Sequence, residues 1–84
     1  MTDEEFDVLD ELYFVQPYEH LKEELEMSDI DLMSVLKSLL QKAWIKCYSA
    51  MDEEVFEQDI DLENNFQRYL YLATKKGLMA HNGR

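Results

Sequence analysis

Cysteine, glycine and proline are scarce in this chain of 84 residues, which contains one Cys, two Gly and one Pro. Because Cys47 is alone, no disulfide can form within the chain, and a metal site built on cysteines is excluded. We expect Cys47 to be a small buried hydrophobic side chain rather than a reactive thiol. The few Gly and Pro residues exclude long flexible stretches. The sequence therefore predicts one folded domain spanning residues 1–84.

Basic side chains are also few, with eight Lys and Arg against 19 Asp and Glu, which gives a net charge of -11. Residues 1–31 hold twelve acids and one base, and residues 51–66 hold seven acids and no base. Such a charge suits solubility and repels polyanions. No apolar run approaches the ~18 residues of a membrane span, and the acidic N-terminus is unlike the basic start of a signal peptide. We expect a cytoplasmic protein without membrane contact.

Motifs for metal binding or catalysis are missing as well. His20 and Glu24 share a helix face, but zinc needs three or four ligands and His81 is the only other histidine. Four side chains alternate like calcium-loop ligands: Asp59, Asp61, Glu63 and Asn65. The loop lacks the required Gly and Glu, since Asn64 and Leu70 stand at those positions. With no nucleophile motif and no Gly-rich loop, we expect no catalytic residue, metal or cofactor.

Helix signals dominate the first half of the chain. Thr2-Asp3-Glu4-Glu5 fits a capping box, so a first helix is expected to begin at Asp3. Its apolar residues cover about 160°, wider than one packing face needs: Phe6, Val8, Leu9, Leu12 and Tyr13. Part of this arc is therefore predicted to face a partner or a second copy of the chain.

Two further helices and two strands are predicted next. Pro17 is placed as the first residue of a second helix, with an inner stripe of Tyr18, Leu21 and Leu25. Ser28 is a good N-cap for a third helix. Its apolar face comprises Leu32, Val35, Leu36, Leu39, Leu40 and Ala43. Strands are expected at about 44–49 and 68–74, and Thr74 is read as the cap of a last helical turn.

The segment that joins the two predicted strands, residues 50–67, is called here the acidic connection. It is longer than a usual hairpin loop and rich in acids, yet bulky apolar residues interrupt it. We expect Val55, Phe56 and Ile60 to dock the acidic connection on the domain or on a partner.

From Tyr18 to Ile45 the chain resembles the helix-turn-helix of winged-helix transcription regulators. The matched residues are Leu21, Leu25, Met27, Ser28, Leu32, Leu36, Leu39, Trp44 and Ile45, and Tyr69 to Gly77 looks like the returning wing strand with its aromatic-Leu-x-Thr-x-x-Gly exit. The resemblance implies an α+β winged helix-turn-helix, three helices followed by a β-hairpin wing, with the helix-turn-helix at about 17–43. The chain departs from the pattern at Lys22, where a small residue is usual, and at Glu26 and Ala43, where Gly is usual.

The resemblance also implies a third helix that contacts DNA bases. The outward side chains of this helix are Ser28, Asp29, Met33, Ser34 and Lys37, and only Lys37 is basic. The leading hypothesis is therefore a regulatory or interaction module that binds a basic protein surface. Its predicted contact residues are Phe6, Val8, Tyr13, Glu53, Glu54, Val55, Phe56 and Glu57. One alternative is a DNA-binding transcriptional regulator using Ser34, Lys37, Lys46 and Arg68. Another is an acidic nucleic-acid mimic.

Overall fold

Residues 1–83 are described in the computed structural model, and they form an α+β domain. The helices are α1 (Asp3–Glu11), α2 (Tyr18–Leu25), α3 (Asp29–Gln41), α4 (Leu62–Asn65) and α5 (Lys75–Asn82), with a 3-10 turn at Glu57–Asp59. The strands are β1 (Gln16–Pro17), β2 (Ile45–Ala50), β3 (Glu53–Val55) and β4 (Leu70–Ala73). The α+β class predicted from the sequence is confirmed.

Three helix starts follow the predicted caps. The Thr2 hydroxyl accepts from the Glu5 N–H at 3.1 Å, and the Thr2 N–H donates to Glu5 Oε1 at 2.9 Å, which completes the capping box of α1. Ser28 caps α3 by accepting from the Asp31 N–H at 3.2 Å. Thr74 caps α5 by accepting from the Gly77 N–H at 3.1 Å. Each cap satisfies an N–H that has no partner within its helix, so the chain sets these helix starts locally.

The strands form one antiparallel sheet in the order β1-β4-β2-β3. Strand β2 pairs with β4 from Ile45↔Ala73 to Tyr48↔Leu70, and with β3 through Cys47↔Val55. The two predicted strands therefore pair, but the predicted order of three helices followed by two strands is incomplete. Strand β1 precedes α2, β3 lies inside the acidic connection, and the last helical turn extends to the eight residues of α5.

The hydrophobic core lies between the helices and one face of the sheet. Its fully buried side chains include Val8, Leu9, Leu12, Leu21, Leu32, Leu36, Leu39, Cys47 and Tyr71. Each aliphatic side chain of this size contributes about 1.5–3 kcal/mol when buried. Burial raises the pKa of the Cys47 thiol to about 12, so the thiol stays protonated at neutral pH. The prediction that Cys47 is a buried hydrophobic residue is confirmed.

The turns on either side of α3 adopt left-handed backbone without glycine. Glu26, after α2, has φ 52° and ψ 39°, and Ala43, after α3, has φ 58°. Pro17 lies one residue before α2 and pairs with Leu70 in the sheet. The prediction that Pro17 is the first residue of the second helix is therefore wrong by one residue. The positive-φ geometry that glycine usually supplies is thus formed here by two residues that carry a Cβ.

Candidate functional site

An open groove of about 540 Å³ lies between α3, β2 and the acidic connection. Its apolar lining includes Met33, Leu40, Ile45, Val55, Ile60 and Leu62. Of these, Ile45 and Leu62 belong to the buried core, while the other four are half-buried and pack against it. The floor of the groove is therefore a margin of the hydrophobic core that remains open to solvent.

Six charged side chains also line the groove: Lys37, Lys46, Glu54, Glu57, Asp61 and Glu63. The Lys46 ammonium lies 3.7 Å from a carboxylate oxygen of Glu54, so that pair is neutral overall. Within residues 1–83, Lys37, Glu57 and Glu63 form no ion pair, and all three are exposed. Four carboxylates against two ammonium groups leave the groove with a negative balance.

Glu53, Glu54 and Glu57, predicted to contact a partner, are all exposed on the acidic connection. The docking prediction for this segment is only partly right. Val55 and Ile60 are half-buried against the core, as expected, but Phe56 is 62% exposed and the prediction that it docks on the domain is wrong. The docking is shared instead by Leu62 and Phe66, which the short helix α4 turns toward the core.

Helix α1 and the residues after it keep only part of the predicted partner surface accessible, since Tyr13 is exposed and Phe6 is half-buried. Val8 is fully buried, so its predicted contact with a partner is wrong. The ring of Phe6 stacks on His81 of α5, with centroids 4.1 Å apart. The Tyr13 hydroxyl lies 2.7 Å from His81 Nδ1 and donates to Asn82 Oδ1 at 2.8 Å. His81 and Asn82 of α5 thus contact Phe6 and Tyr13 of the wide apolar arc, because α5 is longer than the single turn predicted.

Of the four residues of the DNA-binding alternative, Lys37 and Lys46 line the groove. Ser34 and Arg68 are exposed but are not among the lining residues. Lys42, another base near the third helix, donates to Glu5 Oε2 at 2.7 Å and lies over the Trp44 ring at 4.7 Å. Lys42 and Lys46 are therefore already paired with carboxylates within the protein.

The histidines take part in local contacts. His20 Nε2 lies 3.1 Å from Glu11 Oε1, rather than against Glu24. His81 Nε2 is 3.4 Å from Asp10 Oδ1. Among residues 1–83, no group of three or more His, Cys, Asp or Glu side chains is placed to hold a metal ion. None of the helices in this part of the chain is both long and apolar enough to cross a membrane.

Sequence reasoning did not find the groove as a site. The sequence predicts Met33 and Lys37 as outward-facing residues of α3, but nothing in the sequence places Ile60 and Glu63 opposite them. The 3-10 turn and α4 span three and four residues, which is too short for a periodic pattern to show. Comparison with protein-family models, curated proteins and solved structures gives no match to this chain.

Proposed function

We propose that the chain is a winged-helix-type interaction module that binds a basic surface of a protein partner rather than DNA. Two features support the interpretation of the fold as a winged helix. The connection between α2 and α3 is only three residues long, and antiparallel strands follow α3 directly. This interpretation is also supported by left-handed backbone at Glu26 and Ala43, the two positions where the resemblance implies glycine.

The exposed acidic surface of the acidic connection is the observation that supports a basic protein partner. Glu53, Glu54 and Glu57 are exposed beside the exposed aromatic ring of Phe56. Carboxylates attract a basic partner during encounter, and an aromatic ring supplies apolar contact area once the partner is bound. A surface of this kind is complementary to Lys and Arg side chains and repels phosphate.

The outward side of α3 supports the same preference. Its first turn carries Asp29 and Asp31, and Asp29 is held by the Tyr18 hydroxyl at 2.6 Å and by Lys22 at 2.9 Å. Burial is the largest cause that raises the pKa of Tyr18, and its hydrogen bond to Asp29 is the next. The same hydrogen bond, followed by the one from Lys22, lowers the pKa of Asp29. Lys22 neutralises Asp29, whereas Asp31 has no ion pair within residues 1–83. One uncompensated carboxylate therefore lies where a DNA-reading helix would approach phosphates, and non-specific DNA affinity depends on cations.

A gel-shift titration with mixed-sequence duplex DNA at about 150 mM salt tests the exclusion of DNA. We expect no binding at micromolar protein. Micromolar or tighter binding, or a specific site recovered by selection, would instead support the DNA-binding alternative through Lys37.

Affinity capture from the source lysate tests the proposed partner. The immobilised proteins are the unmodified chain, a triple variant Glu53→Lys, Glu54→Lys and Glu57→Lys, and a control with three exposed acids on other surfaces reversed, Asp7→Lys, Glu23→Lys and Glu24→Lys. A basic protein retained by the unmodified chain and the control, but lost from the triple variant, is the expected result. Equal loss from both variants would show charge attraction without a defined surface, contrary to the proposal.

A further inference from the structure

We propose that the groove between α3, β2 and the acidic connection binds a short segment of the partner protein that carries an apolar anchor flanked by Lys or Arg. This inference rests on the proposed function and places the contact with the partner protein in the groove. Glu54 and Glu57 of the acidic surface line the groove and Glu53 does not. Lys37 and Glu63 line the groove without being changed in the triple variant, so variants of these two residues test the groove separately.

The groove has the size and lining of a binding site for a few side chains. Its volume of about 540 Å³ lies inside the ~300–1,000 Å³ typical of ligand sites. Met33 and Leu40 contribute from α3, and Val55 and Ile60 contribute from the opposite wall; all four are half-buried and already held against the core. Because these side chains are held by packing, an apolar anchor would bury their remaining surface at a small entropic cost.

The charges around this floor select a basic segment. Glu57 and Glu63 are exposed, line the groove and have no ion-pair partner among the described residues, whereas Glu54 is paired with Lys46. A Lys or Arg on the incoming segment could therefore pair with either free carboxylate without breaking an existing contact. Lys37 is the one exposed base in the groove that lacks such a partner, so it opposes a basic segment.

The same arrangement disfavours a nucleic acid in the groove. A phosphate near Lys37 would share the groove with the carboxylates of Glu57 and Glu63, which repel it. An exposed aromatic ring, Phe56, lies in the chain between the lining residues Val55 and Glu57. It can cover the apolar anchor or contact a basic side chain from the edge of the groove.

The test uses a random library of displayed twelve-residue peptides selected on the full chain. We expect the recovered peptides to share one or two large apolar residues flanked by Lys or Arg. Recovery of acidic or uncharged peptides, or of none, would overturn the proposal. In the chain labelled with ¹⁵N, a synthetic copy of a recovered peptide should shift the amide signals of residues 33–41 and 54–63. Shifts confined to α1 and α5 would also overturn it.

Three single charge reversals locate the contact. Glu63→Lys should weaken binding of the synthetic peptide about three- to tenfold, since an exposed charge pair is lost and a repulsion added. Lys37→Glu, on the opposite wall, should strengthen it. Glu19→Lys is the matched control, because Glu19 is exposed at the second residue of α2 as Glu63 is at the second residue of α4. It should change the affinity less than twofold, and an equal loss in both variants would contradict the groove assignment.

The outcomes separate the groove from the proposed function. If a basic protein is captured and released by the triple variant, but binds the Glu63→Lys and Lys37→Glu variants with unchanged affinity, the groove proposal fails and the proposed function stands. If the groove selects basic peptides as described but no basic protein is retained from the lysate, the groove proposal stands and the proposed cellular partner fails. Far-UV circular dichroism of each variant confirms that the chain remains folded.

Discussion

Left-handed backbone at Glu26 and Ala43 carries an energetic cost that glycine would avoid. In this conformation a Cβ lies close to the following carbonyl oxygen, which costs about 1–2 kcal/mol. Ala43 is held there because the turn must deliver Trp44 to a hydrogen bond with Leu39, whose carbonyl accepts the Trp44 N–H at 3.0 Å. The packing of α3 and β2 thus fixes a backbone geometry that the residue itself disfavours.

We expect Ala43→Gly to stabilise the protein. Removing the Cβ removes about 1–2 kcal/mol of strain from the folded protein. The greater freedom of glycine in the unfolded chain costs about 0.4–1 kcal/mol, so the free energy of unfolding should rise by about 0.5–1 kcal/mol. Urea unfolding measures the change. Ala80→Gly, inside α5, is the control and should lose about 1 kcal/mol. Destabilisation of similar size in both variants would show that Ala43 is not strained.

Glu5 is a buried carboxylate whose partners determine its ionisation. Its oxygens accept from Lys42 Nζ at 2.7 Å, the Ser38 hydroxyl at 3.0 Å and the Thr2 N–H at 2.9 Å. Burial alone would raise the pKa of Glu5, but hydrogen bonds from Lys42, Thr2 and Ser38, with the Lys42 charge, outweigh it and lower the pKa from 4.5 to about 2. Glu5 thereby joins the start of α1 to the C-terminal half of α3.

The lowered pKa predicts a pH dependence of stability. A depressed folded-state pKa stabilises the protein above the unfolded value, and this contribution is lost as the pH falls from about 4.5 to about 2. At pH 7, Glu5→Gln should therefore cost about 2–3 kcal/mol, after allowance for the partly exposed Lys42. The difference from the unmodified protein should shrink through that window. Glu4→Gln, one residue away and exposed, should change stability by less than about 0.5 kcal/mol.

Helix α5 is joined to the rest of the domain at both ends. At its start, the Thr74 N–H donates to the Trp44 carbonyl at 2.9 Å and the Thr74 hydroxyl donates to the Ala43 carbonyl at 2.7 Å. At its end, His81 packs on the ring of Phe6. Gly77 lies so close to the turn after α3 that a Cβ there would overlap the carbonyl oxygen of Trp44. The helix can approach this turn only because residue 77 has no side chain.

Gly77→Ala is therefore expected to destabilise the protein although alanine favours helix. The overlap is with backbone, which has to shift, and such overpacking costs about 1–3 kcal/mol. The better helix propensity of alanine offsets about 1 kcal/mol of this cost, which leaves a net loss of up to about 2 kcal/mol in thermal or urea unfolding. Lys76→Ala, at the exposed neighbouring position, should be nearly neutral. A stabilised Gly77→Ala protein would show that the close approach to Trp44 is absent in solution.

The elements that sequence reasoning located are those with a local chemical signal. Thr2, Ser28 and Thr74 cap helices through their own hydroxyls, and the apolar face of α3 repeats over thirteen residues. Strands β1 and β3 have two and three residues, and β3 begins with two glutamates, which strands disfavour. Their pairing depends on contacts with β4 and β2, so no local pattern reveals it. The groove escaped prediction because its second wall is built from β3, the 3-10 turn and α4, which are three, three and four residues long.

The charge distribution affects the molecule as a whole, because 19 acids and eight bases are carried on 84 residues. Five charge contacts shorter than 4.0 Å are found within residues 1–83, and two of them involve histidine. Most acidic side chains in this part of the chain therefore have no cationic partner. Repulsion among them destabilises the compact state, and the same field attracts a basic partner.

Salt should therefore change folding and partner binding in opposite directions. Raising NaCl from about 20 to about 300 mM shortens the Debye length from about 20 Å to about 6 Å, which screens repulsion between distant carboxylates more than it weakens close pairs. We expect the melting temperature to rise, by about 4–8 °C for each 1 kcal/mol gained. Over the same range a basic ligand should associate more slowly and bind more weakly.

A control with three exposed acids neutralised, Asp7→Asn, Glu23→Gln and Glu24→Gln, should melt at a higher temperature at low salt and respond less to added salt. A melting temperature that falls with salt in both proteins would show that close ion pairs outweigh the repulsion.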